Sequence, residues 1–432
     1  MELKPFRGYR YNPELVGDAS QCIAPPYDVI DTHLRQILCQ QSPYNIAHVT
    51  KPLSDNNADP YAQAAQHLQS FIQKGALKQD PRDTIYVYAQ DFDIQGQNFR
   101  RTGFIALGRL EPYGDNIRPH EHTLDGPKAD RLNLTRATKS QIGQIFMLYD
   151  DPNDTVEHIL TQACTGSQLL CHQDDDNVKH RLFALTDPQH IDTVVQALKN
   201  QTTFIADGHH RYETALNYFE ETNNPNAAWQ LMTFVNFRNP GLLVLPTHRL
   251  IKNLPDFAPS TLIGRMNELF DVAWLRYDDD VQKAQRLADM LEGMAQQTQL
   301  GEHVIGMYFN DGAFYLATLR DTAPIKKAAP DHSHAWQTLD VAILHKLVLE
   351  KLLAIDSAAL AAQSHVEYIK DFGHARDDAL DAVDRQDAQG LFFLNPTPPE
   401  QVQAVAHAGE RMPQKSTFFH PKVFSGLVVR MI

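Results

Sequence analysis

The sequence predicts a mixed α+β fold, with sheets that contain hairpins and helices that flank them. Two segments carry the alternation and turn chemistry of β-hairpins, several others carry helical periodicity, and the two kinds interleave along the chain. Hairpins set this pattern apart from a purely parallel, doubly wound sheet, which is built from crossover connections.

The first hairpin runs over Thr84 to Phe92, where apolar and polar partners alternate. It turns at Gln95-Gly96-Gln97-Asn98 and resumes from Phe99 to Leu110. A second pairs His303 to Phe309 with Ala313 to Thr318 across Asn310-Asp311-Gly312. Apolar residues recurring at three and four predict helices over Pro60 to Lys74, Pro188 to Lys199 and Val341 to Leu353. Residues 202–222 read as strand, tight turn and helix: Thr203 to Ala206, then Asp207-Gly208-His209-His210-Arg211, then Tyr212 to Glu221. Further on, Gly390 to Leu394 predicts a strand and Glu400 to Gly409 a helix that ends on glycine. Asn395 to Pro399 and Thr322 to Pro324 read as connectors, and the absence of internal repeats excludes solenoids and coiled coils.

The 432 residues carry 53 Asp+Glu against 39 Lys+Arg, a formal net charge of −14. Such a surface repels phosphate backbones and anionic lipid heads, so nucleic acid and membranes are not expected partners. A content of 43% hydrophobic and 21% charged residues is that of a globular chain and excludes disorder as the dominant state. No apolar run approaches the ~20 residues that span a bilayer. The start, Met1 to Arg7, lacks a signal-peptide pattern, so a cytoplasmic location is expected. Four cysteines, Cys22, Cys39, Cys164 and Cys171, are too few for a disulfide framework and are expected reduced. The runs Asp174 to Asp176 and Asp278 to Asp280 read as solvated loops.

Three constellations carry chemistry. In the first, Asp207-Gly208-His209-His210-Arg211, a short strand enters a helix through glycine. Backbone N–H groups and the positive end of the helix dipole then lie beside two histidines and an arginine, a site for an anion such as phosphate. The second, Arg118 to Thr123, sets Glu121 between His120 and His122, which suits either a general base or a metal site. The third, Gly409 to Lys422, combines Lys415, Ser416, Thr417 and His420 and suits either a carboxylate- or phosphate-holding loop or a solvated one. Walker A, G-x-G-x-x-G and kinase H-R-D signatures are absent, which excludes the standard nucleotide-binding modes.

The D-G-H-H-R block resembles the phosphate-binding motif of the ParB/sulfiredoxin-like fold, and within it the free L-serine kinases. Pro119-His120-Glu121 matches their proline-histidine-glutamate, in which the glutamate is catalytic. Pro396 to Val402, with Pro413 to Thr417 and His420, resembles their C-terminal region. The whole chain is also similar to a large, poorly characterised bacterial family. Its marks are Lys4-Pro5-Phe6-Arg7-Gly8, Ala24 to Ile30, Gly126-Pro127-Lys128 with Asp130-Arg131-Leu132, and Met412 to Thr417. A sulfiredoxin would carry a cysteine where this chain has His209, and ParB proper carries a basic DNA-binding region.

The resemblance implies an N-terminal α+β region over 1–115, a ParB/sulfiredoxin-like catalytic core with an insertion over 116–250, and a C-terminal α+β region over 251–432 that completes the substrate site. It implies a small-molecule kinase moving a phosphoryl group from ATP or ADP to the hydroxyl of free L-serine, giving O-phosphoserine. Asp207, Gly208, His209, His210 and Arg211 would hold the nucleotide, and Mg²⁺ would bridge its phosphates with Asp207 as a protein ligand. Glu121 would take the hydroxyl proton with His120 orienting it, and Lys415, Ser416, Thr417 and His420 would grip the amino acid. Two alternatives stand beside it: a metal-dependent phosphohydrolase built from His120, Glu121, His122, Asp207, His209 and His210, and a non-enzymatic nucleotide-binding regulator. Oligomeric state is not readable from the sequence.

Overall fold

The computed structural model describes residues 1–53, 59–121, 123 and 125–432. His122, one of the histidines beside Glu121, lies outside the described residues. The chain divides into two compact units: one contains Met1–Pro119, Thr123–Leu243 and Pro421–Ile432, the other Val244–His420 together with His120 and Glu121. Sheets, hairpins and flanking helices occur in both, so the fold class is mixed α+β.

In the first unit nine strands among the described residues form one sheet: β1 (Leu3–Lys4), β2 (Ile85–Ile94), β3 (Gln97–Arg109), β4 (Ile117–Arg118), β5 (Ile145–Tyr149), β6 (Leu170–Gln173), β7 (Lys179–Leu185), β8 (Thr203–Asp207) and β9 (Trp229–Asn236). Their order is β4-β8-β5-β9-β3-β2-β7-β6, with β1 paired to β3. The β2–β3 hairpin is the predicted one, with Ile94 opposite Gln97 and both turn residues, Gln95 and Gly96, at positive φ, as a two-residue turn of matching twist needs.

Alternation predicted one wet face for β2, yet Ile85 through Gln90 are all buried. Val87 and Ala89 join the core that includes Val156, Leu160, Val194 and Leu198. On the other side Tyr86 receives the Gly8 N–H at 3.0 Å, and His180, hydrogen-bonded to Tyr88, packs on Phe424 with centroids 4.1 Å apart. Both termini therefore cover the face that a local reading left to solvent. Asp174, expected in a solvated loop, is instead tucked in, 2.9 Å from His180 Nε2.

The helices of this unit include α1 (Pro60–Gln73), α2 (Asp125–Thr138), α3 (Thr155–Ala163), α4 (Pro188–Leu198) and α5 (His209–Thr222). Asp59 and Asp187 cap α1 and α4, each followed by proline in the first turn, as the sequence signals. On α3, burial pushes the Glu157 carboxyl up to about 7; a hydrogen bond from Asn239 opposes this, and Asp154 and Asp151 add to it. The folded state then keeps a proton that the unfolded chain releases above its ordinary value, so stability falls as pH rises from about 4.5 to about 7. Glu157→Gln is expected to stabilise the protein by about 1–3 kcal/mol at pH 8 and to be neutral at pH 4. Thermal unfolding at the two pH values measures this, and equal shifts at both would refute it.

In the second unit the strands β10 (Thr247–Ile251), β11 (Phe270–Arg276), β12 (Val304–Tyr308), β13 (Ala313–Leu319), β14 (Val366–Lys370) and β15 (Gly390–Phe393) form an antiparallel sheet ordered β11-β13-β12-β15-β10-β14. Its second hairpin is the predicted one, pairing Tyr308 with Phe314. Met290 and Met294 of α6 (Asp280–Gln299) pack with Phe314 and Phe393, while Phe392 and Tyr315 join a larger core with Leu344, Leu347 and Val348. The predicted 341–353 helix begins as an α-turn, Asp340–Ile343, and continues as a π-helix over Leu344–Glu350. Apolar spacing at three and four does not separate these two windings. The helix α7 (Pro399–His407) follows β15.

All four cysteines are free thiols. Among the described residues no helix is long and apolar enough to cross a membrane.

Candidate functional site

In the first unit, β8 delivers Asp207 to the head of α5. The register of β8 against β5 shifts between Ile205 and Asp207, the kind of irregularity that re-aims a side chain at a strand end. Gly208 follows at φ 96°, where its N-cap position supplies no side-chain hydrogen bond to the helix. A Cβ here would be strained at this φ and would stand 3.1 Å from the Arg211 guanidinium, so glycine is favoured.

Around this turn cations outnumber the carboxylate. Lys422 Nζ donates to Asp207 Oδ2 at 2.8 Å, and Arg211 lies 3.9 Å from Oδ1. Burial by itself would raise the Asp207 pKa; Lys422 and Arg211, with His209, outweigh it and hold the carboxyl well below the usual range. Arg211 also donates to the backbone oxygen of Gln144. The Gln144 side chain is buried, and neither of its amide atoms has a hydrogen-bond partner among the described residues. His209 is buried and His210 half-buried.

Lys422 is placed by a second layer. Arg101, only 1% exposed, donates to Gln90 Oε1 and to the Pro421 carbonyl, and Gln90 donates to the Lys422 carbonyl at 3.0 Å. Burial lowers the Arg101 pKa to about 10, so it remains a cation at neutral pH. Neither Arg101 nor Lys422 was singled out from the sequence. Lys422 had a signal, lying two residues past His420, whereas an arginine within a strand has none.

Two marks of the family resemblance meet in the same unit. Arg131 sits over the Tyr27 ring at 4.1 Å and donates to the Thr50 carbonyl at 2.8 Å. With Arg211 and Gly143, both residues line a small cavity of about 70 Å³. On α5, Glu213 accepts from Thr123 at 2.7 Å and from Lys128 at 3.2 Å, tying the Gly126-Pro127-Lys128 segment to the helix.

The second unit brings His120 and Glu121 to the third constellation. His120 Nε2 lies 3.0 Å from Thr417 Oγ1, and the His120 carbonyl accepts from Met412 N–H at 2.8 Å. Glu121 Oε1 accepts from the Lys415 N–H at 3.3 Å, with Lys415 at φ 55° and its side chain exposed. Ser416 directs its hydroxyl to the Pro413 carbonyl at 2.5 Å. His420 is buried with its ring on Phe372, centroids 4.3 Å apart. Arg249, fully buried and also missed by the sequence reading, donates to His345 Nε2 at 3.1 Å and to the carbonyls of Gln414 and Lys415 at 3.4 and 3.1 Å. It thereby fixes the backbone that meets Glu121. Burial, with Arg249 nearby, pushes the His345 pKa far down, so that imidazole is neutral.

Among the described residues no group of three or more His, Cys, Asp or Glu is placed to hold a metal ion. Asp207, expected as a Mg²⁺ ligand, directs its oxygens to Lys422 and Arg211.

A family model described as a protein of unknown function, DUF1015, matches residues 3–342, and the chain belongs to that family. No curated protein matches it. Among solved structures it is similar to a free serine kinase in complex with ADP, at 11% identity and a TM-score of 0.36, over 73% of this chain and 87% of that one. It is also similar to a conserved hypothetical protein from Pyrococcus furiosus, at 12% identity, a TM-score of 0.34, and 73% and 90% coverage. SbnI from Staphylococcus aureus gives 11% identity and a TM-score of 0.33, with 76% and 87% coverage.

Proposed function

We propose that the protein is a phosphotransferase that moves the terminal phosphoryl group of ATP or ADP, supplied as the Mg²⁺ complex, to the hydroxyl of a small molecule. The observation that carries this reading is the Gly208 turn, a helix entry with Lys422 and Arg211 around one carboxylate and Arg101 behind Lys422, with the buried, uncommitted Gln144 amide beside Arg211. Phosphoryl transfer asks for positioning and charge neutralisation more than for covalent chemistry, and cations with helix N-terminal N–H groups supply both.

In the proposed reaction the alcohol oxygen forms a bond to the terminal phosphorus. The bond from that phosphorus to the bridging oxygen breaks, and the nucleotide leaves one phosphate shorter. Glu121 takes the hydroxyl proton, and its orientation is held by the Lys415 N–H. The Gly208 turn, His209, His210 and Arg211 hold the phosphates, where fixed donors stabilise charge on the equatorial oxygens. Mg²⁺ arrives bound to the nucleotide phosphates. Asp207 instead holds Lys422 and Arg211 in place. Motif resemblance makes L-serine the first acceptor to test. Purified protein with Mg²⁺, ATP or ADP, and a panel of hydroxylated metabolites including L-serine is expected to yield a phosphoester by mass spectrometry. No product with either nucleotide across the panel would end this reading.

A further inference from the structure

The second unit also contains a cavity of about 270 Å³. One wall is a ring stack, His332 on Trp336, with centroids 3.8 Å apart and planes within 13°. Leu360, Tyr368, Met412 and Pro413 add apolar lining, while His345, Lys346, Glu350, Arg411 and Gln414 supply its polar part, and Arg249 backs the Tyr368 ring at 4.7 Å. The backbone joins this cavity to the proposed base: Met412 bonds the His120 carbonyl, and Lys415, one residue past the lining Gln414, bonds Glu121.

Of the charged groups in the lining, Lys346, Glu350 and His332 are already paired, and Arg411 has interactions of its own. Lys346 reaches both oxygens of Glu350 at 2.7 and 2.8 Å, and His332 lies 2.9 Å from Glu410. His345 accepts from Arg249. A free amino acid brings an ammonium and a carboxylate, each of which needs a charged or hydrogen-bonding partner once buried. Flat rings and aliphatic edges instead suit a flat apolar group, which gains from stacking and from leaving water.

We infer that this cavity holds the ring of the acceptor, which is therefore an aromatic or heteroaromatic alcohol rather than free serine; the inference rests on the phosphoryl-transfer reading. The alcohol oxygen gives up its proton to Glu121 and takes the terminal phosphoryl group, while the ring stays against Trp336.

The test offers the full chain Mg²⁺ with ATP or ADP, and in turn L-serine, 2-phenylethanol and 3-(hydroxymethyl)pyridine. Phosphoester formation is followed by mass spectrometry. A ring alcohol is expected to exceed serine at least about tenfold in kcat/KM. Gln414→Trp, which fills the cavity, is expected to lower ring-alcohol kcat/KM about tenfold or more with an unchanged melting temperature. Quenching of tryptophan fluorescence by 3-(hydroxymethyl)pyridine, lost in Trp336→Phe, reports occupancy in the unblocked protein and so does not depend on that variant folding. Turnover of serine, with neither ring alcohol turned over nor quenching seen, would overturn the inference and leave the phosphotransferase reading standing. No product from any acceptor would remove both.

Discussion

Glu121→Gln is expected to lower turnover by about a hundredfold or more while leaving nucleotide affinity within about twofold. The reason lies in what the substitution keeps. A glutamine carbonyl still accepts the Lys415 N–H, so the turn that Arg249 braces keeps that contact, while the charge and the capacity to take a proton are lost. Measuring kcat beside nucleotide binding by calorimetry separates the two quantities. Turnover within about threefold of the parent would remove Glu121 as the base, and a parallel loss of nucleotide affinity would point to a binding role instead.

Lys422→Met is expected to act on the other half of the chemistry and on stability together. Removing the ammonium leaves Asp207, about a quarter exposed, with Arg211 at 3.9 Å as its remaining close cation. The cost should be about 1–3 kcal/mol at neutral pH, below that of breaking a fully buried pair because both groups keep some contact with water. The sign with pH follows from the depressed carboxyl. Its stabilisation is present above the ordinary carboxylate value and disappears as acid protonates the folded state, so parent and variant should converge in acid. Nucleotide affinity should fall about ten- to a hundredfold if Lys422 also faces phosphate. Adding Asp207→Asn to Lys422→Met should restore most of the melting temperature, because no carboxylate is then left unpaired, but not the affinity. Recovery of both would make Lys422 a purely structural partner.

Local patterns were legible in the sequence where a neighbour a few residues away decides the outcome. The Gln95-Gly96 hairpin, the strand, glycine and helix around Gly208, and the proline-started helices at Pro60 and Pro188 all belong to this kind. Features that depend on distant partners were not legible. Tyr86, Tyr88 and Gln90 look like a solvent face until residues from both ends of the chain cover them. The buried cations Arg101 and Arg249 look like ordinary strand residues, because their role is set by carbonyls 320 and 166 positions away. The same holds for the cavity beside Met412, whose walls come from five separated stretches and include a π-helical one. Individual chemical groups were readable, whereas their supporting contacts were not.

The pairing of Asp207 with Lys422 also sets a schedule for biosynthesis. The two residues are 215 positions apart, so a ribosome adding ~5–20 residues per second makes the carboxylate about 10–40 s before its ammonium. Val244–His420 is synthesised whole within that interval and can fold as a continuous stretch, whereas the unit bearing the glycine turn must wait for Pro421 onward. Its charge balance is thus among the last features to form on a nascent chain, and a chain released before residue 422 carries the turn without its lysine.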